Sequence, residues 1–224
     1  MSTGRTAAER SPWDVGLYSL AESARYGSIP ASTLGRWLAR RAPAGTLREE
    51  LVSFDELVSL LFVRQLTKQH VRMKDILTAE SDLRERSGHQ HPFVHETLWV
   101  AGKDVMVRVP ATEGEFLAAN RRGQMGLPGL IEPKLVELPE LVTDVRGRLG
   151  YDGGRAVVWR PADRIAARPI VQFGLTCIEG TRLTTRAVCE AVDAGDDNVT
   201  LAHMFEVAES DIELAVQWEH QLAA

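Results

Sequence analysis

The chain has 224 residues, 44% of them hydrophobic and 25% charged, with a net charge of −5 at neutral pH. That length suits one large domain or two small ones, and the ordinary apolar content indicates a soluble globular protein. No apolar run approaches the roughly 18–20 residues of a membrane span, and the two cysteines, Cys177 and Cys189, form neither a disulfide framework nor a metal-ligand spacing.

Residues 1–12 carry no apolar stretch of the secretory kind and are expected to be a flexible lead-in, which makes the cytoplasm the expected compartment. The segment Ser19 to Arg41, SLAESARYGSIPASTLGRWLARR, reads as two short helices joined by a tight turn. Ser19 and Glu22 have the spacing of a capping box. Leu20, Ala21 and Ala24 give the first helix an inward side. Gly27 is expected to stop it, since glycine tolerates the left-handed backbone, and Pro30 suits the next start. Leu34, Trp37 and Leu38 recur at helical spacing and should face the core, leaving Ser32, Thr33, Arg36, Arg40 and Arg41 outward. In a helix-turn-helix, outward residues of the second helix meet base edges and phosphates in the major groove. A plain helical hairpin with solvated arginines has the same pattern, because three arginines are not a strong basic patch.

After a loop at Ala42 to Thr46, Ser53 and Glu56 suggest a second capping box opening a helix to about Gln69. Phe54, Leu57, Val58, Leu61 and Leu66 give it an apolar stripe. A further amphipathic helix is expected from Met73 to Arg86, with Ile76, Leu77, Ala79 and Leu83 inward. Residues 13–90 are thus read as one helical DNA-binding region, with the apolar helices from Phe54 onward as a candidate dimer surface. His89, His91 and His95 crowd together beside Glu96 and could ligate a metal, although no cysteine joins them and surface histidines account for the pattern as well.

From His91 the pattern turns to β. Glu96 to Val109 reads as a hairpin about Gly102-Lys103, and Leu130 to Leu138 and Ala156 to Arg160 are further strand-like runs. Ala111 to Gly129 is rich in glycine and polar residues and reads as a flexible loop. Residues 91–161 therefore form a β-rich middle region.

Residues 162–224 end in three expected helices, Thr185 to Ala194, Thr200 to Val207 and Asp211 to Leu222, the last with a capping box at Ser210 and Glu213. Ile212, Ala215, Val216 and Leu222 can face the core. Leu214 and Trp218 lie on another side, as a partner surface or as core. Asp193, Asp196, Asp197 and Asn198 lack the calcium-loop order and read as a turn that caps the next helix. From Glu179 to Ala224 there are ten acidic residues against two basic ones, Arg182 and Arg186, a net of −8 that leaves the rest of the chain at +3. Such an end repels phosphate and suits a basic partner, or is simply well solvated. The fold class expected is mainly α with a small β region (α+β). No nucleophile elbow, phosphate loop or zinc-protease motif occurs, and no enzymatic activity or cofactor is expected.

Arg168-Pro169, Phe173-Gly174, Ile178-Glu179 and Gly180-Thr181-Arg182, followed by three short helices, resemble a small antitoxin-associated domain with a G-T-R signature, over roughly Asp163 to Leu222. YSLAESARYG, STLGRWLARR and DELVSLLFVRQLTKQ resemble a MerR-type winged helix-turn-helix. Together they resemble antitoxins of the VapB kind, encoded beside a PIN-type ribonuclease toxin. The chain departs from short VapB proteins, which have a ribbon-type DNA-binding end and a disordered tail. The resemblance implies a homodimer that silences the toxin and binds operator DNA at its own promoter. It implies Arg182, Arg186, Leu214 and Trp218 as candidate partner contacts, with Arg182 either reaching the toxin's carboxylates or bonding backbone carbonyls at its own turn. The other functional class is a MerR-like, ligand-responsive regulator, which would place a pocket in the sheet region.

Overall fold

The computed structural model describes residues 11–41, 51–95, 98–101, 104–108, 116–119, 124–125, 135–137 and 148–223. Among these are seven α-helices and eleven strands, a mixed α/β architecture with more sheet than the expected small β region. The chain divides into two compact units, Met1–Phe54 with Val157–Ala224, and Asp55–Ala156. This differs from the linear division at residues 90 and 161, because the two ends of the chain share one core.

The first unit opens with β1 (Gly16–Ser19), α1 (Leu20–Gly27) and α2 (Ala31–Arg41). β1 pairs antiparallel with β2 (Leu51–Ser53). The capping box is present: Ser19 Oγ accepts from Glu22 N at 3.1 Å while Glu22 accepts from Ser19 N at 2.9 Å. Helix α1 does end at Gly27, but the left-handed residue is Ser28 (φ 46°), not the glycine. Gly27 is small for another reason: a Cβ there would lie 3.0 Å from Ile29 Cδ1. Ala24 is buried as expected, whereas Ala21 is exposed and Leu20 half-buried; Ser23 and Tyr26 complete the inward face. Leu34 and Leu38 are buried and Trp37 is half-buried.

The second unit contains α3 (Phe54–Lys68) and α4 (Met73–Ser87). Apart from its last turn, α3 is buried nearly all round: Leu60, Phe62 and Val63 are enclosed beside the expected Phe54, Leu57, Val58, Leu61 and Leu66. A helix apolar on every side belongs inside a core, so α3 offers no spare apolar face for the dimer contact expected there. Its buried Asp55 is ion-paired with Arg155. On α4, Ile76, Ala79 and Leu83 are buried and Leu77 is half-buried.

β3 (Leu98–Ala101) and β4 (Asp104–Arg108) form the expected hairpin, Ala101 opposite Asp104; its two turn residues lie outside the described residues, as does the Ala42 to Thr46 loop. The glycine-rich segment expected to be loop contributes β5 (Phe116–Ala118) and β6 (Gln124–Met125). With β7 (Leu135–Glu137) they make a sheet of order β6-β5-β4-β3-β7. The short strands escape a reading based on alternation because their pairing, not their composition, defines them.

β8 (Arg148–Asp152), β9 (Arg155–Ala162), β10 (Ile165–Ala167) and β11 (Thr176–Ile178) form a second sheet in the order β11-β10-β9-β8. Three helices follow: α5 (Thr185–Asp193), α6 (Asn198–Phe205) and α7 (Glu209–Ala223). Thr184 Oγ1 caps α5 by accepting from Ala187 N at 3.3 Å. Asp197 caps α6, its Oδ1 accepting from Val199 N and Thr200 N at 3.0 Å. α7 starts two residues earlier than a Ser210 cap requires: the Ala208 carbonyl accepts from Asp211 N at 2.9 Å, which places Ser210 inside the first turn. No described helix is long and apolar enough to cross a membrane.

The core of the first unit is aromatic. Tyr26 stands edge-on to Tyr18 at 5.7 Å and to Trp159 at 5.5 Å, and is stacked with Trp218 at 6.5 Å. Trp159 and Trp218 meet edge-on at 6.1 Å. Edge and offset arrangements suit the ring quadrupoles. Burial pushes both tyrosine hydroxyls above their ordinary range, so they act as neutral hydrogen-bonding groups.

Candidate nucleic-acid and partner interfaces

The turn between α1 and α2 is Ser28-Ile29-Pro30. Buried Ile29 anchors it, and the Pro30 carbonyl accepts from Leu34 N at 2.9 Å. With Leu34 and Leu38 turned inward, helical spacing leaves Ser32, Arg36 and Arg40 on the opposite face, all exposed, with Thr33 half-buried beside them. Arg36 donates to Thr33 Oγ1 at 3.1 Å, which holds the guanidinium along the helix surface. Arg41 lies in the last turn of α2, and its side chain falls outside the described residues. Ser32, Thr33, Arg36 and Arg40 thus share one face of α2. A free guanidinium there can meet phosphate or a guanine edge.

The candidate partner residues scatter. Trp218 is 2% exposed and part of the aromatic core, so it is unavailable to a partner; its indole N–H donates to Thr176 Oγ1 at 3.3 Å. Leu214 is half-buried. Arg186 reaches Glu22 at 3.4 Å, tying α5 to the capped end of α1. Burial raises the Glu22 carboxyl, but the Ser19 hydrogen bonds and Arg186 outweigh it and hold the group below its ordinary range. Arg182 is exposed. Its own carbonyl accepts from Gln172 Nε2 at 2.8 Å, which binds the turn to the preceding loop. In that turn Gly180 has φ +86°, and Thr181 Oγ1 donates to the Ile178 carbonyl at 2.9 Å.

That preceding loop, Arg168 to Gly174, carries features that periodicity does not reveal. Gln172 (φ 44°) and Phe173 (φ 53°) both occupy the left-handed region, which costs about 1–2 kcal/mol for each residue bearing a Cβ. Gly174 follows at φ +81°, where a Cβ would collide with the Tyr18 hydroxyl. Tyr18 donates to the Gly174 carbonyl at 2.9 Å and fixes the end of the loop. The result is presentation: Phe173 is 79% exposed and Ile170 is 66% exposed, on a loop held by buried anchors. Strain of this kind persists only where the surroundings over-determine it.

Ion pairs brace the same region. Arg160 donates to Glu179 at 2.7 Å, and Arg168 lies 3.7 Å from the same carboxylate. Arg164 grips buried Asp211 through two hydrogen bonds of 3.0 and 2.9 Å. The Arg164 hydrogen bonds hold the Asp211 carboxyl below its usual range in spite of burial. An open groove of about 560 Å³ is lined by Val192, Asn198, Glu213, Val216, Gln217 and His220, on the helices rather than in the sheet region.

His89 and His95 stack at 3.9 Å, but among the described residues His89, His91 and His95 form no common ion site; Glu96 lies outside the described residues.

The family described as "Protein of unknown function (DUF433)" matches residues 165–218. No curated protein matches the chain significantly. Among solved structures, the crystal structure of Rv2018 from Mycobacterium tuberculosis is similar at a TM-score of 0.62 and 18% identity, over 91% of this chain and 99% of that one. A likeness at that identity is one of fold.

Proposed function

We propose that the protein is a DNA-binding antitoxin: it represses its own operon through α2 and neutralises a ribonuclease of the PIN type. The observation that carries the DNA half is the single exposed face of Ser32, Thr33, Arg36 and Arg40, on a helix whose opposite side is locked into the core by Leu34 and Leu38. A dimer would set two such helices about 34 Å apart, one turn of DNA, on an inverted repeat. The partner half rests on the sequence resemblance and on charge: the last helices are strongly acidic and suit a protein with a basic RNA groove. Within that half, Phe173 and Ile170 beside Arg182 replace Trp218 as the contact surface, since exposed aromatic and arginine side chains on a fixed loop dominate many interfaces.

The test is anisotropy with DNA from upstream of the gene, at two salt concentrations. The expected result is tight binding that weakens with salt. Arg36→Ala with Arg40→Ala should cost about tenfold or more in affinity and lower the salt slope by about two. Toxin copurification should persist in that variant. Equal loss of both activities would mean that the helix pair is structural. A ligand-responsive regulator is the second reading, favoured by the open groove between the C-terminal helices. It requires a small effector there and no toxin partner.

A further inference from the structure

Among the described residues, Cys189, Asp193 and His220 each offer one donor atom, all within 4.8 Å of one another. Cys189 and Asp193 are four residues apart on α5 and so share a face. His220 comes from α7, which packs along α5. Cys189 Sγ donates to Asp193 Oδ2 at 3.6 Å, and His220 Nε2 is 3.9 Å from Asp193 Oδ1. Around a tetrahedral zinc ion, sulfur at about 2.3 Å and nitrogen or oxygen at about 2.0–2.1 Å lie roughly 3.3–3.5 Å from one another. The observed separations, all within 4.8 Å, are wider than those of a ligand set and must contract for an ion to be held.

The parts that must adjust are the ones free to move. The Asp193 and His220 side chains are 63% and 62% exposed, whereas Cys189 is buried and fixed by the packing of its helix. A thiolate, an imidazole and a carboxylate are ligands that zinc accepts, while calcium and magnesium take oxygen. Glu190 and Glu219 stand near enough to act on the Cys189 sulfur and add negative field for a cation.

We propose that Cys189, Asp193 and His220 bind one Zn²⁺ ion, with water in the fourth position, and that the ion clamps α5 to α7. Binding replaces the thiol proton, which leaves to solvent, with a zinc–sulfur bond. The site involves neither the α2 face nor the Phe173 loop, so its test does not depend on the antitoxin reading.

Full-length protein without an affinity tag, stripped with a chelator, is titrated with Co²⁺ and then Zn²⁺. The expected result is one Co²⁺ per chain, with a thiolate-to-cobalt charge-transfer absorption that Zn²⁺ displaces. Cys189→Ser abolishes that absorption. His220→Gln, at an exposed position that leaves the fold intact, weakens the metal by at least about tenfold, as loss of even an outer-shell partner does. A folded wild type without the absorption overturns the proposal. So does an absorption that survives in Cys189→Ser, which would belong to Cys177. Unchanged affinity in His220→Gln overturns it independently, even if Cys189→Ser fails to fold; the three donors are then only an intrahelical hydrogen bond beside a surface histidine.

Discussion

Phe173 and Gly174 are neighbours with opposite obligations. The Phe173 ring contributes little to the core, so Phe173→Ala should leave the unfolding free energy within about 0.5 kcal/mol of wild type and, on the proposed function, weaken capture of the partner. Gly174→Ala should do the reverse at the level of folding. Its Cβ collides with the Tyr18 hydroxyl, and its φ of +81° disfavours any side chain. A loss on the order of 2 kcal/mol or more is expected, read from urea denaturation. Equal stability of Gly174→Ala and wild type would mean that Tyr18 does not fix the loop. Neither obligation can be read from the run RPIVQFG itself, because Tyr18 lies 156 residues away. By contrast, the Ser19–Glu22 box and the inward Leu34 and Leu38 were legible, since each is settled by residues within a turn or two.

At the scale of elements, the boundaries of α5, α6 and α7 follow local signals to within two residues, and Asp197 caps α6 as its position suggests. The Ser210–Glu213 pair misleads because the spacing of a capping box also occurs inside a helix that has already begun at Glu209. What holds α7 at its start is tertiary: Arg164, just ahead of β10, bonds Asp211. The Asp211 carboxyl titrates below its usual range, so its contribution to stability is fully present above the ordinary aspartate pKa and is lost as pH falls through the depressed folded value. Asp211→Asn should therefore lower the urea midpoint at pH 7, and the gap to wild type should close in acid. A gap that persists at the lowest pH would show that packing, not charge, matters there. The effect is moderated because half of Arg164 is exposed to solvent.

For the molecule as a whole, the first unit is discontinuous, formed by Met1–Phe54 and Val157–Ala224. Linear reading assigns the two ends to separate jobs, one for DNA and one for a partner. Stacking of Tyr26 on Trp218 joins them in one core, and the signal for that lies in no local window. On the proposed function, deletion of residues 163–224 should consequently abolish DNA binding together with partner binding, and circular dichroism should show loss of helix beyond the residues removed. Retained operator affinity in that truncation would establish the N-terminal helix pair as self-sufficient. A partner surface is better tested by Phe173→Ala than by truncation.

This arrangement also bears on synthesis. While the chain is being made, Tyr18 emerges 156 residues before Gly174, and Tyr26 likewise well before Trp218. At about 5–20 residues per second, α1 and α2 wait roughly 10–35 s for the side chains that close their core. An interrupted or prematurely terminated chain carries the arginine face of α2 without the fold that presents it. On the proposed function, competence to occupy the promoter would come only to a chain translated through α7.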